Sequence, residues 1–359
     1  MIGKRIKQAR VAAGFSLRQL AESANNYVSA QVIHKYELGN AVPGSDVLIR
    51  LAKALGVKVE YFFRPETREV TLSAPAYRKR ATASAKHLNA VHAKAKEFLE
   101  RYLAVEGLFP AHRFAKPHLP GEADRKISNE HDIEELAVEV RKRWQLGTDP
   151  IVDLTEVLED KGVKVVMMEG EDDFDGLSCW ANETIPVVVA KKDQSGDRLR
   201  LSLAHELGHL IMHLPSSYTH KQQEKAAYRF AAAFLVPASV AKQELGETRS
   251  GLGLEELKML KQKYGMSIQA WLYRAKDLGI ISESKWVEYN ALFRARGWNK
   301  TEPGEAIAVE QPKRFERLIL QALVEGLITP AKAAEYLCIP LSEFQKTLKV
   351  DLAETEAGL

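Results

Sequence analysis

The short motif HELGH, residues 205–209, constrains the fold of this 359-residue chain more than any other feature. It lies in the run LRLSLAHELGHLIMHL, where leucine and isoleucine recur at helical spacing, so the run predicts an apolar helix. Two histidines four residues apart lie on one face of a helix and can bind one metal ion. We therefore expect His205 and His209 to be ligands of a single zinc ion.

Glu206 is predicted to act at this metal. It follows the first histidine directly, so its carboxylate can face a metal-bound water as general base, which is the chemistry of HExxH metallopeptidases. A catalytic zinc site normally has three protein ligands and one open position. A third histidine at the metzincin spacing would fall at Pro215, which excludes that arrangement. Manganese or iron would also suit two histidines and a carboxylate, so the identity of the divalent ion stays open.

Glu224 is the candidate for the third ligand. The apolar face of a second predicted helix is marked by Ala227, Phe230, Ala231 and Phe234. Glu224 lies three residues before Ala227 on that face, and a buried carboxylate is costly unless a cation compensates its charge. The alternative is that Glu224 occupies the exposed first turn of this helix, where the helix dipole favours negative charge.

Three β-like runs precede the motif: VKVVMM at 163–168, DGLSCW at 175–180 and IPVVVA at 185–190. The segments DPIVDLTEVLEDKGVKVVMME, FDGLSCW, PVVVAKKDQSGDRLRLSLAHELGHLIMH and E-x-x-A-x-x-F-A-A-x-F-L-V-P resemble the ImmA/IrrE-type metallopeptidases in order and spacing. The resemblance covers about residues 129–297. It implies a zincin-like α+β domain and a zinc endopeptidase of gluzincin type, with His205, His209 and Glu224 on the metal and Glu206 activating water. One departure is Ala226, because relatives often have an acidic residue there.

The first 64 residues have apolar positions at helical spacing and predict four or five short helices. Gly14 should end the first helix, Ser16 and Ser29 should cap the second and third, and Ser45 or Asp46 the fourth. The residues Arg10, Gly14, Ser16, Leu20, Ala21, Glu37, Gly39, Pro43, Ala52 and Leu55 stand in the order of the XRE, or Cro and CI repressor-like, helix-turn-helix family, which this segment resembles.

That resemblance implies that the helix in SAQVIHKYELG enters the major groove of double-stranded DNA. The residues that it would present to an operator are Ala30, Gln31, His34 and Lys35, with Arg18 and Asn40 as weaker candidates for backbone contacts. The charge of this part of the chain is consistent with DNA binding, because residues 1–100 carry 17 Lys and Arg against 8 Asp and Glu. Such domains usually bind pseudo-palindromes as dimers, so a homodimer is also expected, although only the helix predicted from Ala81 to Val105 offers a dimer element.

The chain is therefore expected to be mainly α-helical with a small β-sheet. We expect a helix-turn-helix domain at 1–64, a linker and long helix at 65–128, a metallopeptidase domain at 129–297 and a helical C-terminal region at 298–359. The last region could be a second helix-turn-helix-like unit, but the absence of a basic face favours a packing or dimerisation appendage.

Two cysteines cannot build a disulfide framework, and no apolar run approaches the roughly 20 residues that span a bilayer, so a cytoplasmic protein without membrane contact is expected.

The leading functional hypothesis is a DNA-binding regulator with a zinc endopeptidase that cleaves a protein such as a repressor or an antitoxin. One alternative is a regulator whose peptidase-like domain senses a metal or ligand without turnover. Another is self-cleavage in the proline-rich stretch from Leu108 to Gly121. An intact motif with Glu206 present favours chemistry, since a sensor would be free to lose it.

Overall fold

The computed structural model describes residues 2–63, 70–73, 85–110, 114, 119, 127–169 and 176–346. Helices predominate, and the described strands form one small sheet, which confirms the predicted mainly α fold class. The described residues form two compact units. One contains 2–63, 70–71, 85–110 and 314–346, and the other contains 72–73, 114, 119, 127–169 and 176–313.

The first unit begins with four α-helices and a short 3-10 helix. They are α1 (Ile2–Ala12), α2 (Leu17–Ser23), α3 (Ala30–Glu37), α4 (Ser45–Leu55) and the 3-10 helix Val59–Phe63. Their apolar faces meet in a core of fully buried side chains, including Ile6, Leu20, Ile33, Leu51 and Phe62.

Helix boundaries in this unit follow from local chemistry. Ser16 caps α2 in a capping box with Gln19, and the Ser29 side chain accepts a hydrogen bond from the backbone of α3, as predicted. The predicted cap of α4 is wrong, because Gly44 is the N-cap. Ser45 begins that helix, and Asp46 lies in its first turn, where the helix dipole favours its charge.

A buried ion pair ties the helices of this unit together. Arg10 on α1 donates from Nε and Nη2 to the two carboxylate oxygens of Glu37, at 2.6 and 2.8 Å, and from Nη1 to the Phe15 carbonyl at 2.8 Å. The Glu37 side chain is only 3% exposed. This pair fixes the carboxyl-terminal end of α3, the helix predicted to read DNA, against α1.

The rest of the first unit is formed by α5 (Ala85–Glu106), α14 (Arg314–Val324) and α15 (Pro330–Leu337). The Phe315 ring lies 5.1 Å from that of Phe98 and stacks on that of Tyr102 at 5.2 Å. The helix predicted from Ala81 is described from Ala85 onward. The predicted linker outside 70–73, most of the segment from Leu108 to Gly121, and the end of the chain after residue 346 lie outside the described residues.

The second unit contains the sheet and the remaining helices. Its elements are α6 (Glu130–Arg143), α7 (Leu154–Asp160), β1 (Lys164–Met168), β2 (Gly176–Ala181), β3 (Ile185–Lys191), α8 (Gly196–Ile211), α9 (His220–Leu235), α10 (Ala238–Leu245), α11 (Leu254–Tyr264), α12 (Ile268–Asp277) and α13 (Glu283–Ala295). All three predicted strands form. None of the helices in the described part of the chain is both long and apolar enough to cross a membrane.

The sheet has the order β1-β3-β2, with β3 parallel to β1 and antiparallel to β2. The turn between β2 and β3 holds Asn182 and Glu183 at positive φ, 48° and 65°. Residues 187–190 of the central strand are fully buried, which explains why this run is continuously apolar instead of alternating. Helix α8 packs against β2 and β3 and also against α9.

The amino-terminal half of α8 is fixed by buried charges. Arg200 pairs with Glu310, and it donates to the Ile151 carbonyl at 2.6 Å. Glu310 also accepts hydrogen bonds from the backbone and hydroxyl of Thr155 at the start of α7, at 2.8 and 3.0 Å. On the neighbouring turn, Asp197 pairs with the buried Lys261 at 3.0 Å. These contacts hold the helix that carries the HELGH motif.

Candidate metal centre and DNA-recognition helix

The packing of α8 on α9 brings three predicted ligands together. His205 and His209 lie one turn apart on α8, and their Nε2 atoms are 2.9 Å from each other. The Glu224 carboxylate reaches them from α9, with Oε1 3.1 Å from His209 Nε2 and Oε2 3.6 Å from His205 Nε2. Glu224 is the fifth residue of α9, beyond its first turn, and its side chain is 21% exposed.

The donor set fits a divalent metal ion. Tetrahedral zinc with N and O ligands at about 2.0–2.1 Å places those ligand atoms about 3.3–3.4 Å apart. The three separations observed, 2.9, 3.1 and 3.6 Å, bracket that value. Two imidazoles and one carboxylate are also the donors that zinc accepts in open sites. Among the described residues, these three form the group of potential ligands within 4.8 Å of one another.

Glu206 lies beside this cluster and is fully buried. Its Oε2 accepts a hydrogen bond of 2.9 Å from the hydroxyl of Ser178, which is itself buried on β2. A side chain at Gly176 would crowd the same carboxylate, because a Cβ there would stand 3.2 Å from Glu206 Oε1. Sequence reasoning missed both residues, since they lie inside a run that reads simply as a strand.

Two further residues shape the site. Gly208, inside the motif, permits the close approach of α9, because a Cβ at this position would stand 2.9 Å from Cδ1 of Phe230. Tyr228, on α9, lies with its ring 4.3 Å from the His205 ring in an edge-to-face arrangement and is 42% exposed. His205 itself is fully buried, so Tyr228 contacts this ligand from a partly exposed position.

Cys179 on β2 is also buried and feels the charge of Glu206. Burial, together with the charge of Glu206, raises the pKa of the Cys179 thiol to about 12. The exposed histidines His213 and His220 lie close in sequence but outside the cluster. This arrangement can hold a metal ion through two imidazoles and a carboxylate, with a buried carboxylate beside it as a proton acceptor.

The residues predicted to meet DNA lie on α2, on α3 and just after α3. Gln31, His34 and Lys35 are exposed on α3, and Ala30, its first residue, is half-buried. Arg18 on α2 and Asn40 just after α3 are also exposed. The contacts of these residues with DNA stay a prediction.

Comparison with known families identifies both domains. Residues 6–62 match a family model of helix-turn-helix domains, and residues 158–276 match the peptidase-family model described as the IrrE N-terminal-like domain. The chain therefore combines an XRE-type DNA-binding domain with an ImmA/IrrE-type metallopeptidase-type domain, which confirms the predicted fusion.

Two individual proteins provide further comparison. Multiprotein-bridging factor 1 of Candida albicans is 40% identical over 58 residues, which are 16% of this chain and 37% of that protein. The chain thus spans little more than a third of the length of this curated relative. A crystal structure of Bacillus thuringiensis PlcR with the peptide PapR7 and DNA aligns over 99% of this chain and 98% of that chain, at 13% identity and a TM-score of 0.18.

Proposed function

We propose that this chain is a DNA-binding transcriptional regulator that carries a zinc-dependent endopeptidase, and that the endopeptidase hydrolyses a protein substrate such as a repressor or an antitoxin. The observation that carries the proposal is the convergence of His205, His209 and Glu224 from two helices, with the buried carboxylate of Glu206 beside them. A metal site with a purely structural role would need no additional buried carboxylate beside its ligands. The presence of Glu206 therefore supports hydrolysis.

His205, His209 and Glu224 would hold the metal. When bound, a zinc ion supplies Lewis-acid polarisation of the scissile carbonyl and lowers the pKa of water at the site. Glu206 accepts the proton of the attacking water and returns it to the leaving amine. The Ser178 hydrogen bond fixes the orientation of that carboxylate, and Gly176 leaves room for it.

The metal ligands can be tested by metal analysis of purified variants. Glu224→Gln keeps the size of the side chain but removes its charge, so metal affinity should fall about 10- to 100-fold or more if the carboxylate is a ligand. His213→Ala is the matched control, because this exposed histidine lies four residues after His209 and outside the cluster. Full metal occupancy in Glu224→Gln would remove Glu224 from the ligand set.

Hydrolysis can be tested with Glu206→Gln. This variant should retain the metal and lose peptidase activity, because the amide cannot accept the proton. Wild type and variant are incubated with the repressors and antitoxins encoded nearby, and fragments are identified by mass spectrometry. Cleavage by wild type alone identifies the substrate, and fragments of the chain itself would indicate self-cleavage. Equal proteolysis by both proteins would exclude Glu206 as the base.

The same experiment distinguishes the sensor alternative. Bound metal without cleavage of any candidate, combined with DNA affinity that changes when the metal is removed, would indicate a regulator that senses the metal.

The DNA-binding part is tested separately by replacing Gln31, because the side chain of a glutamine can form two hydrogen bonds to adenine. Gln31→Ala should relax preference at one base position, and unchanged sequence selectivity would remove it from the recognition surface.

A further inference from the structure

The turn that leads into α3 presents an aromatic ring to solvent. Asn25 and Asn26 both adopt the left-handed conformation there, with φ of 56° and 53°. The backbone of the turn is hydrogen-bonded to the preceding helix, because the Asn26 N–H donates to the Ala21 carbonyl at 2.8 Å. Tyr27 follows directly, three residues before Ala30, the first residue of α3, and is 49% exposed. The turn therefore holds a large exposed ring close to the start of the helix predicted to read DNA.

The guanidinium of Arg50, on α4, lies over this ring. Its Cζ atom is 4.2 Å from the centroid of the Tyr27 ring. Arg50 is exposed, and within the described part of the chain no carboxylate pairs with it, Asp46 one turn earlier on the same helix included. The N–H groups of a guanidinium lie in its plane, so stacking on an aromatic face leaves them able to donate to another partner. Tyr27 therefore orients Arg50 and leaves its donors available.

Other arginines of this unit are held differently. Arg5 pairs with Glu100 at 3.0 Å, and Arg10 pairs with Glu37 at 2.6 Å. In both pairs a carboxylate neutralises the guanidinium. The partner of Arg50 is an uncharged ring, which fixes the position of the positive charge without cancelling it. An exposed cation–π contact contributes only about 0.5–1 kcal/mol, so it does little for the stability of the domain.

The place of this pair beside the start of α3 suits a contact with phosphate. An α-helix with its side chains is about 10–12 Å across, and the major groove of DNA is about 12 Å wide. A helix in the groove therefore fills it, and a cation that flanks the helix faces the sugar-phosphate backbone at the border of the groove. A guanidinium can donate two parallel hydrogen bonds to one phosphate, and such contacts fix the protein on the duplex without reading sequence.

We propose that Arg50 binds a backbone phosphate beside the groove that α3 enters, and that Tyr27 is its positioning residue. The inference rests on the proposed DNA binding. It adds a contact from α4 to the backbone contacts predicted for Arg18 and Asn40. It also gives the turn with Asn25 and Asn26 a role, because this turn carries the ring that meets α4.

The phosphate contact is tested with the full chain and a fluorescein-labelled duplex of mixed sequence, about 30 base pairs long. Fluorescence anisotropy is measured between about 50 and 200 mM NaCl. Arg50→Gln should lower the slope of log K against log salt by about one unit, and at about 0.1 M salt affinity should fall about eightfold. Lys53→Gln is the matched control, because it removes the same charge from the next turn of α4, where Lys53 is also exposed. Its slope should change by less than half as much. Equal changes in the two variants would indicate a diffuse effect of charge and overturn the contact.

The positioning role of Tyr27 is tested in the same assay. Tyr27→Ala should weaken binding about two- to fivefold, and Tyr27→Phe, which keeps the ring under Arg50, should bind like wild type. In the Arg50→Gln background, Tyr27→Ala should cause no further loss, because the ring then has no guanidinium to orient. A ring that only stabilised the turn would cause the same loss in both backgrounds, and that result would overturn the positioning role.

Circular dichroism of each variant verifies that the helices are retained. If wild type binds the duplex with a clear salt dependence and Arg50→Gln shows the same slope and affinity, the inference fails and the proposed DNA binding stands. If wild type binds neither this duplex nor DNA from its own upstream region at any salt concentration, the proposed DNA binding fails and the inference fails with it.

Discussion

Gly208 offers a direct test of how closely the two ligand-bearing helices must approach. In Gly208→Ala the new methyl group would stand 2.9 Å from Cδ1 of Phe230. Phe230 is fully buried and stacks on Phe234 with ring centroids 5.7 Å apart, so its ring has little room to move. We therefore expect the substitution to separate α8 from α9 and to destabilise the second unit.

Two opposing contributions set the magnitude. Replacing a helical glycine by alanine gains about 1 kcal/mol of helix propensity. Adding a methyl group to a packed core costs about 1–3 kcal/mol. Because the clash involves the body of an aromatic ring, the cost should lie near the top of that range, and the net loss in the free energy of unfolding should be about 1–2 kcal/mol.

Urea unfolding of the full chain followed by tryptophan fluorescence measures this loss. All five tryptophans lie between residues 144 and 298, within the second unit, so the signal reports on that unit. The double variant Gly208→Ala/Phe230→Leu provides the control, because the smaller side chain relieves the clash. The two effects should then be non-additive by about 1 kcal/mol.

Two results would refute this reasoning. If Gly208→Ala stabilises the unit, helix propensity outweighs the contact and the helices can adjust without cost. If the double variant shows strictly additive losses, the destabilisation does not arise from the contact with Phe230. The role of Gly208 would then lie outside the packing of α8 on α9.

Three further predictions concern other parts of the molecule. Arg10→Ala should destabilise the first unit by about 3–5 kcal/mol, because it leaves the Glu37 carboxylate buried without its partner; circular dichroism measures this, and a loss below about 1 kcal/mol would contradict it. Thiol titration of the native chain at pH 8 should count one reactive cysteine, the exposed Cys338, since Cys179 is 2% exposed and its pKa of about 12 keeps it protonated. Two thiols should react after unfolding, and two in the native chain would refute the burial of Cys179. Lys35→Ala should weaken binding to all DNA sequences and lower the salt slope by about one unit, and an unchanged slope would exclude a phosphate contact.

Local chemistry made much of the fold predictable. Asn129, for example, is the N-cap of α6 and forms a capping box with Asp132, a signal that lies within four residues of sequence. The three apolar runs became strands because their residues suit a buried sheet. The cap of α4 was misassigned because two good capping residues follow Gly44, and propensity alone cannot show which residue leaves the helical conformation. Helix α7 was missed because its seven residues are too few for a clear period.

The candidate site was less fully predictable than the helices that carry it. The spacing of the histidines determines that they share a face, and the chemistry of a carboxylate on an apolar face pointed to Glu224. Ser178 reaches Glu206 only because β2 lies against α8, which is a long-range contact that no local pattern encodes. The same applies to Ser73, whose backbone N–H donates to the Trp180 carbonyl at 2.8 Å although the two residues lie far apart in sequence.

The core between α8 and α9 has a consequence for metal exchange. Leu203, Leu207, Phe230 and Phe234 are fully buried there, so apolar packing holds the candidate ligands in place. In zinc fingers, by contrast, metal binding supplies the folding free energy and chelators unfold the domain. Here a chelator should remove the ion and leave the helices intact. Metal occupancy can then rise and fall with the free-ion concentration around the protein without unfolding of the domain.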